Sequence, residues 1–238
     1  VFEDIGVVPL PSLLRGFSAP VTLDFPYSDE ELAHLLMYDS DPFNRWEAGQ
    51  RLAARLILAA TASFAAGGTP VWPASFADAA GRIIASADDD LAFAAEVLTL
   101  PSEATLAEQL DVVDPDALHA ARRGLRRFLV EQLRSSMAVC YECYAPHGSY
   151  RFETVDAGRR ALRNLCLGYL MELDTPRERA LAMRQFTSAD NMTDQFAALA
   201  VLAQCSSSER RQALADFYKR WRCETLVVNK WLMVQATS

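Results

Sequence analysis

Histidine is almost missing from this chain: 238 residues carry three, His34, His119 and His147, each standing alone. Metal motifs built on paired histidines, His-Glu-x-x-His first among them, are therefore excluded. Cysteine is scarce too, and odd in number: Cys140, Cys143, Cys166, Cys205 and Cys223. Five do not read as a disulfide framework, and a reducing cytoplasm is the expected location. No apolar run approaches the roughly 20 residues that a membrane span needs, and Leu56–Ala66 comes nearest, so no membrane partner is expected. A basic excess is lacking, with 23 Lys and Arg against 31 Asp and Glu and a net charge of −8. Such a balance argues against a general nucleic-acid binder. The opening VFEDIGVV has no charged leader followed by an apolar core, so no secretory signal is read there.

What remains is ordinary globular text, 51% hydrophobic and 23% charged, long enough for one domain or two small ones. Its organising stretch runs from Asp41 to Gly67. Asp41 is placed to cap a helix, and Pro42 sits at the first helical position, where a missing N–H costs nothing. Phe43, Trp46, Ala53, Leu56, Ile57, Ala60 and Phe64 then recur at helical spacing. Glu47, Arg51 and Arg55 stand four apart, the acid before the base. From Leu56 to Ala66 the polar face nearly vanishes, which predicts cover on most sides. Gly67-Gly68 ends the helix as a left-handed cap.

Only the beginning of the chain reads as β. Val1–Val8 and Phe17–Phe25 hold β-branched and aromatic residues broken by Pro9, Pro11 and Pro20, which fits two short strands. Two strands alone are not independently stable. Ser28-Asp29-Glu30-Glu31 then forms a capping box, and the text is helical to the end. Further helices are expected from Pro73 to about Ala87, over Leu91–Leu98 behind Asp88-Asp89-Asp90, and from Pro115 to about Tyr144. Gln132 interrupts the apolar stripe of the last of these. A short helix between turns within 100–116, Thr154–Leu173, a start at Thr175-Pro176, a start at Asn191 or Thr193, one at Ser206–Glu209 and a final helical or extended piece over Leu226–Val234 complete the set. The fold expected is mainly α: an irregular α-solenoid, or α-α superhelix, of antiparallel helix hairpins behind two short strands.

Several blocks carry a resemblance. DPFNRWEAGQ at 41–50, PSLLRGFSAPVTL at 11–23 and ADNMTDQFAAL at 189–199 resemble bacterial aminopeptidase N, the zinc-dependent alanyl aminopeptidase family. NKWLMVQATS at 229–238 fits as well, although the family more often has Asp where Asn229 stands. The resemblance falls on the part of that enzyme after its catalytic domain. It implies that residues 1–25 end a β-sandwich domain and that 26–238 form a C-terminal helical domain, cut short at its end. It also implies an upstream catalytic domain in the same polypeptide, peptide substrates, and zinc in the parent enzyme. The family's zinc motif and its Gly-x-Met-Glu-Asn segment are both absent here. No catalytic, cofactor-binding or metal residue is therefore assigned, and no cofactor is expected within 1–238. A free-standing α-solenoid that binds peptides or proteins is the alternative.

Other residues invite chemistry and have plainer explanations. Cys140-Tyr141-Glu142-Cys143 has the C-x-x-C spacing of a zinc half-site or redox pair, but it lies inside an expected helix and lacks a second pair. Arg122, Arg123, Arg126 and Arg127, with Arg159, Arg160 and Arg163, make basic helix faces that read as solvated. Asp88–Asp90 lacks the EF-hand spacing and reads as capping. Gly67-Gly68 is a turn and not a phosphate cradle.

Overall fold

A computed structural model describes residues 6, 8–16, 21, 23–146 and 148–238. Eleven α-helices and two 3-10 turns are found among them, and no strand. Most of the two expected strands, and His147, lie outside the described residues. Residues 8–13 and 23–28, which border that region, are irregular.

The chain divides into two compact units, Val1–Ala87 with Glu96–Leu125, and Asp88–Ala95 with Arg126–Ser238. In the first, helix α1 (Asp29–Tyr38) packs on α2 (Pro42–Ala65) and on α3 (Ala74–Ala85). The capping box of α1 is complete: Glu31 N–H donates to Ser28 Oγ (3.1 Å) and Ser28 N–H to Glu31 Oε2 (2.7 Å). Asp41 caps α2 by accepting from the Asn44 N–H at 3.0 Å, and its second oxygen accepts from Gly16 N–H at 2.8 Å. One carboxylate thus starts the helix and fastens the preceding loop. Asn44 continues the fastening with its Nδ2, which donates to Leu13 O (2.9 Å) and Ser12 Oγ (2.7 Å).

The buried face of α2 is Ala48, Gly49, Leu52, Ala53, Ile57 and Ala60. Phe43, Trp46, Leu56 and Phe64, expected on the same stripe, are half-buried on its flanks. The end of α2 is also less covered than expected, since Ala59, Ala62, Ala65 and Ala66 are exposed. Alanine favours helix whether covered or not, so a run of it does not report burial. Gly49 has a packing reason: a Cβ there would stand 3.2 Å from Leu36 Cδ1. Gly67, with φ +72°, ends the helix in the left-handed region as its position predicts.

Helix α4 (Leu91–Val97) and α5 (Glu103–Ala107) are short. Helix α6 (Pro115–Cys143) is long and broken at Leu133, where φ −115° and ψ 16° leave the helical region. Leu118, Ala121, Leu125 and Leu129 are buried before the break and Met137 and Cys140 after it, while Gln132 is exposed. The lone polar residue in the stripe marked the place where the stripe changes phase.

In the second unit α7 (Thr154–Leu170) and α8 (Pro176–Ser188) pack with α9 (Met192–Ala203); α10 (Ser208–Trp221) and α11 (Thr225–Ala236) follow. Neighbours such as α8 and α9, joined by three residues, form hairpins. Phe217 of α10 lies 6.3–6.5 Å from the rings of Phe186, Phe196 and Trp221. Thr175 does not cap α8 through the backbone; its hydroxyl donates to the Glu178 carboxylate instead.

Candidate functional site

The residues that invited chemistry are spread through the fold and mostly engaged in holding it. His119 Nδ1 lies 2.9 Å from Glu103 Oε1 at an exposed position. His34 packs against the Tyr38 ring at 4.8 Å. Cys140 is buried and Cys143 exposed, so the two thiols of the C-x-x-C spacing do not face one environment. Cys140 instead meets Cys166 of α7, and that hydrogen bond lowers the Cys140 pKa while it and burial raise that of Cys166. Among the described residues no three His, Cys, Asp or Glu are grouped to hold a metal ion.

The arginine faces are largely consumed. Arg122 Nε donates to Pro101 O (2.7 Å), and Arg127 pairs with Glu131 (2.9 Å). Arg126 donates to Gly168 O (2.9 Å), pairs with Glu172 (2.5 Å) and lies over the Tyr169 ring. Arg159 pairs with Asp156, and Arg160 lies over the Tyr150 ring. Of the three expected capping acids, Asp90 caps α4 through Phe93 N–H (2.9 Å), and Asp88 accepts from the Tyr144 hydroxyl (2.6 Å).

Sequence reasoning did not find a buried polar network in the second unit. Arg163 Nη2 donates to the Tyr141 hydroxyl (2.9 Å), which donates to Gln185 Oε1 (2.9 Å). Gln185 Nε2 reaches Asn164 Oδ1 (2.7 Å) and Asp194 O (3.0 Å), and Asn164 Nδ2 donates to Asp194 Oδ1 (2.9 Å). Beside it Glu178, with only 4% of its side chain exposed, pairs with Arg134 at 2.6 Å. Burial pushes the Glu178 carboxyl up, but hydrogen bonds from Thr175 and Arg134 outweigh it and hold the group below its ordinary value. A satisfied network of this kind fixes the packing of α6 to α9.

In the first unit a groove of about 630 Å³ lies between α2 and the Glu96–Gln109 segment. Trp46, Glu47, Arg51 and Arg55 line one wall, and Glu96, Ser102 and Thr105 the other. Gln50 ties the walls together by donating to Thr99 O at 2.9 Å. Arg51 donates one nitrogen to Phe25 O (2.9 Å), and Arg55 donates one to Tyr27 O (2.7 Å) and Asp29 (3.2 Å). Glu47 and Glu96 make no ion pair or side-chain hydrogen bond with any described residue. The volume is that of a small-ligand site.

A family model described as "Domain of unknown function (DUF3458_C) ARM repeats" matches residues 29–238. The chain belongs to that family. It is 36% identical over 238 residues to aminopeptidase N of Escherichia coli (strain K12), which covers all of this chain and 27% of that protein. To aminopeptidase N of Caulobacter vibrioides it is 38% identical over 236 residues, 98% of this chain and 27% of that protein. A crystal structure of Legionella pneumophila aminopeptidase A in complex with aspartic acid matches with a TM-score of 0.84 at 30% identity. That match covers 99% of this chain and 28% of the other. The chain therefore spans about a quarter of the length of these relatives and is homologous to a C-terminal portion of bacterial aminopeptidase N.

Proposed function

We propose that this chain is the non-catalytic C-terminal portion of a zinc metallo-aminopeptidase that removes N-terminal amino acids from peptides. Its helical domain caps the active-site cleft and limits access to it. One observation carries the reading: homology to aminopeptidases runs through the whole chain. In this reading residues 1–25 complete a β-sandwich domain and 26–238 form the helical domain. The partner is the catalytic domain upstream in the same polypeptide, and the enzyme works in the cytoplasm. Zinc would supply an activated water in that catalytic domain. The described residues here offer no grouped ligands that fit the ion, so no step of the reaction is assigned to them.

A helical body over a cleft acts through exclusion. Long helices and short connections suit such a role, in which a wall over the cleft admits short or unfolded peptide ends while it turns away folded chains. The test compares the full-length enzyme with a version lacking residues 26–238, each shown to be folded and zinc-loaded. The shortened enzyme is expected to gain activity on long peptides relative to dipeptide-sized substrates. An unchanged length preference overturns the capping role.

A further inference from the structure

The groove beside α2 has a charge arrangement that its structural role uses only in part. Glu47, Arg51 and Arg55 follow one another along a single wall, yet Glu47 and Arg51 form no ion pair despite their favourable spacing. Glu96 adds a second unpaired carboxylate on the opposite wall. Arg51 and Arg55 each spend one nitrogen on the Phe25–Asp29 segment, where Arg51 also lies over the Tyr27 ring (5.3 Å) and Arg55 pairs with Asp29; their remaining nitrogens make no hydrogen bond with a described residue. Along the α2 wall the lining runs from the unpaired Glu47 carboxylate to Arg51 and then Arg55, which also pairs with Asp29 at 3.2 Å. A uniformly charged ligand would meet repulsion at one end, whereas a ligand with opposite charges at its two ends would meet complementarity at both.

Length narrows the class. Glu47 and Arg55 are eight residues apart on one helix, about 12 Å along its axis at 1.5 Å per residue. An extended chain of four residues spans about 13 Å. The lining also offers the Trp46 ring next to Glu47, the apolar stems of the arginines, and the Gln109 amide, which makes no side-chain hydrogen bond with any described residue. We propose that this groove is a binding site for a short zwitterionic peptide, its ammonium at the Glu47 end and its carboxylate at the Arg55 end. That the zwitterion is a peptide rests on the aminopeptidase reading; the order of the charges along α2 stands without it.

Isothermal titration of the 238-residue protein tests the assignment, with tetra-alanine, its N-acetyl form, its C-terminal amide, the doubly blocked form and free alanine as probes. Tetra-alanine is expected to bind saturably, and blocking either end to weaken it at least tenfold, about 1.4 kcal/mol. Free alanine, too short to reach both ends, is expected to bind no better than the doubly blocked peptide. Glu47→Gln should weaken tetra-alanine tenfold and leave the N-acetyl form unchanged. Arg55→Gln should do the same against the amide, with Arg55→Lys restoring part of the loss and circular dichroism confirming the fold of each variant. No saturable binding of tetra-alanine, or equal affinity for free and doubly blocked peptides, overturns the proposal. Either result leaves the aminopeptidase reading standing, because that reading is decided by the substrate lengths of the longer enzyme.

Discussion

Glu178 and Trp46 show how much a single position can carry. Glu178 is nearly covered, and its carboxyl is held below its ordinary value by Thr175 and Arg134 despite burial. A depressed folded-state pKa means that the stabilisation is present above the unfolded value and disappears as pH falls through the folded one. Thermal melts from neutral pH down to pH about 3 should therefore lose stability more steeply in the parent than in Glu178→Gln. Parallel curves would remove Glu178 from the acid-sensitive set. Trp46 is half-buried against Phe43 (5.7 Å), and its indole N–H is buried with no acceptor among the described residues. A buried unsatisfied donor costs stability, and removing it offsets the ring bulk lost, so Trp46→Phe should melt close to the parent. Trp46→Ala should cost roughly 2 kcal/mol, about half the figure for a fully covered Trp. Denaturant titration of both variants checks the pair, and an equal loss in both would show that the ring edge and not its bulk matters.

At the scale of the element, the beginnings of helices were legible and their coverage was not. Ser28, Asp41, Asn191 and Ser207 cap through side-chain oxygens, as short-range chemistry predicts. Asp41→Ala should lower stability by about 1–2 kcal/mol, because it frees both the Asn44 and Gly16 N–H groups. Asp41→Asn keeps one acceptor oxygen for the cap and loses the bond from Gly16 N–H, so it should cost about half as much as alanine; a loss equal to that of alanine would assign the effect to charge. The turn after α2 gives a parallel case. Gly67→Ala should cost on the order of 1 kcal/mol, because its φ of +72° disfavours any side chain, and an unchanged melt would count against the cap. The break at Leu133 was visible only as an oddity, the polar Gln132 in an apolar stripe. Burial of the alanine-rich end of α2 was misjudged for the reason that alanine is compatible with either side of a helix. The Arg163–Tyr141–Gln185–Asn164 network was invisible because its members come from α6, α7 and α8, and no local spacing brings them together. The groove was hidden for a similar reason: the Glu47, Arg51 and Arg55 row was noted, but the wall that faces it lies some fifty residues away.

At the scale of the whole molecule the question is whether this chain holds any part of a metal reaction. The three histidines are separated along the sequence, and His34 and His119 occupy a tilted ring contact and a surface hydrogen bond to Glu103. The C-x-x-C cysteines differ in burial, and no three metal-binding side chains are grouped among the described residues. Zinc held by one or two side chains exchanges readily, whereas a structural site closes with four ligands and contributes to folding outright. The purified 238-residue protein should therefore keep its melting temperature after treatment with a chelator, retain no stoichiometric zinc after dialysis, and leave aminoacyl-anilides uncleaved. Metal analysis, thermal melts with and without chelator, and a chromogenic assay measure the three outcomes on one preparation. Retention of one zinc per chain would overturn the expectation, and its loss in a Cys140→Ser, Cys143→Ser variant would place it at those thiols. Zinc retained in that variant would point instead to His147, which lies outside the described residues, as a ligand to be tested by His147→Ala.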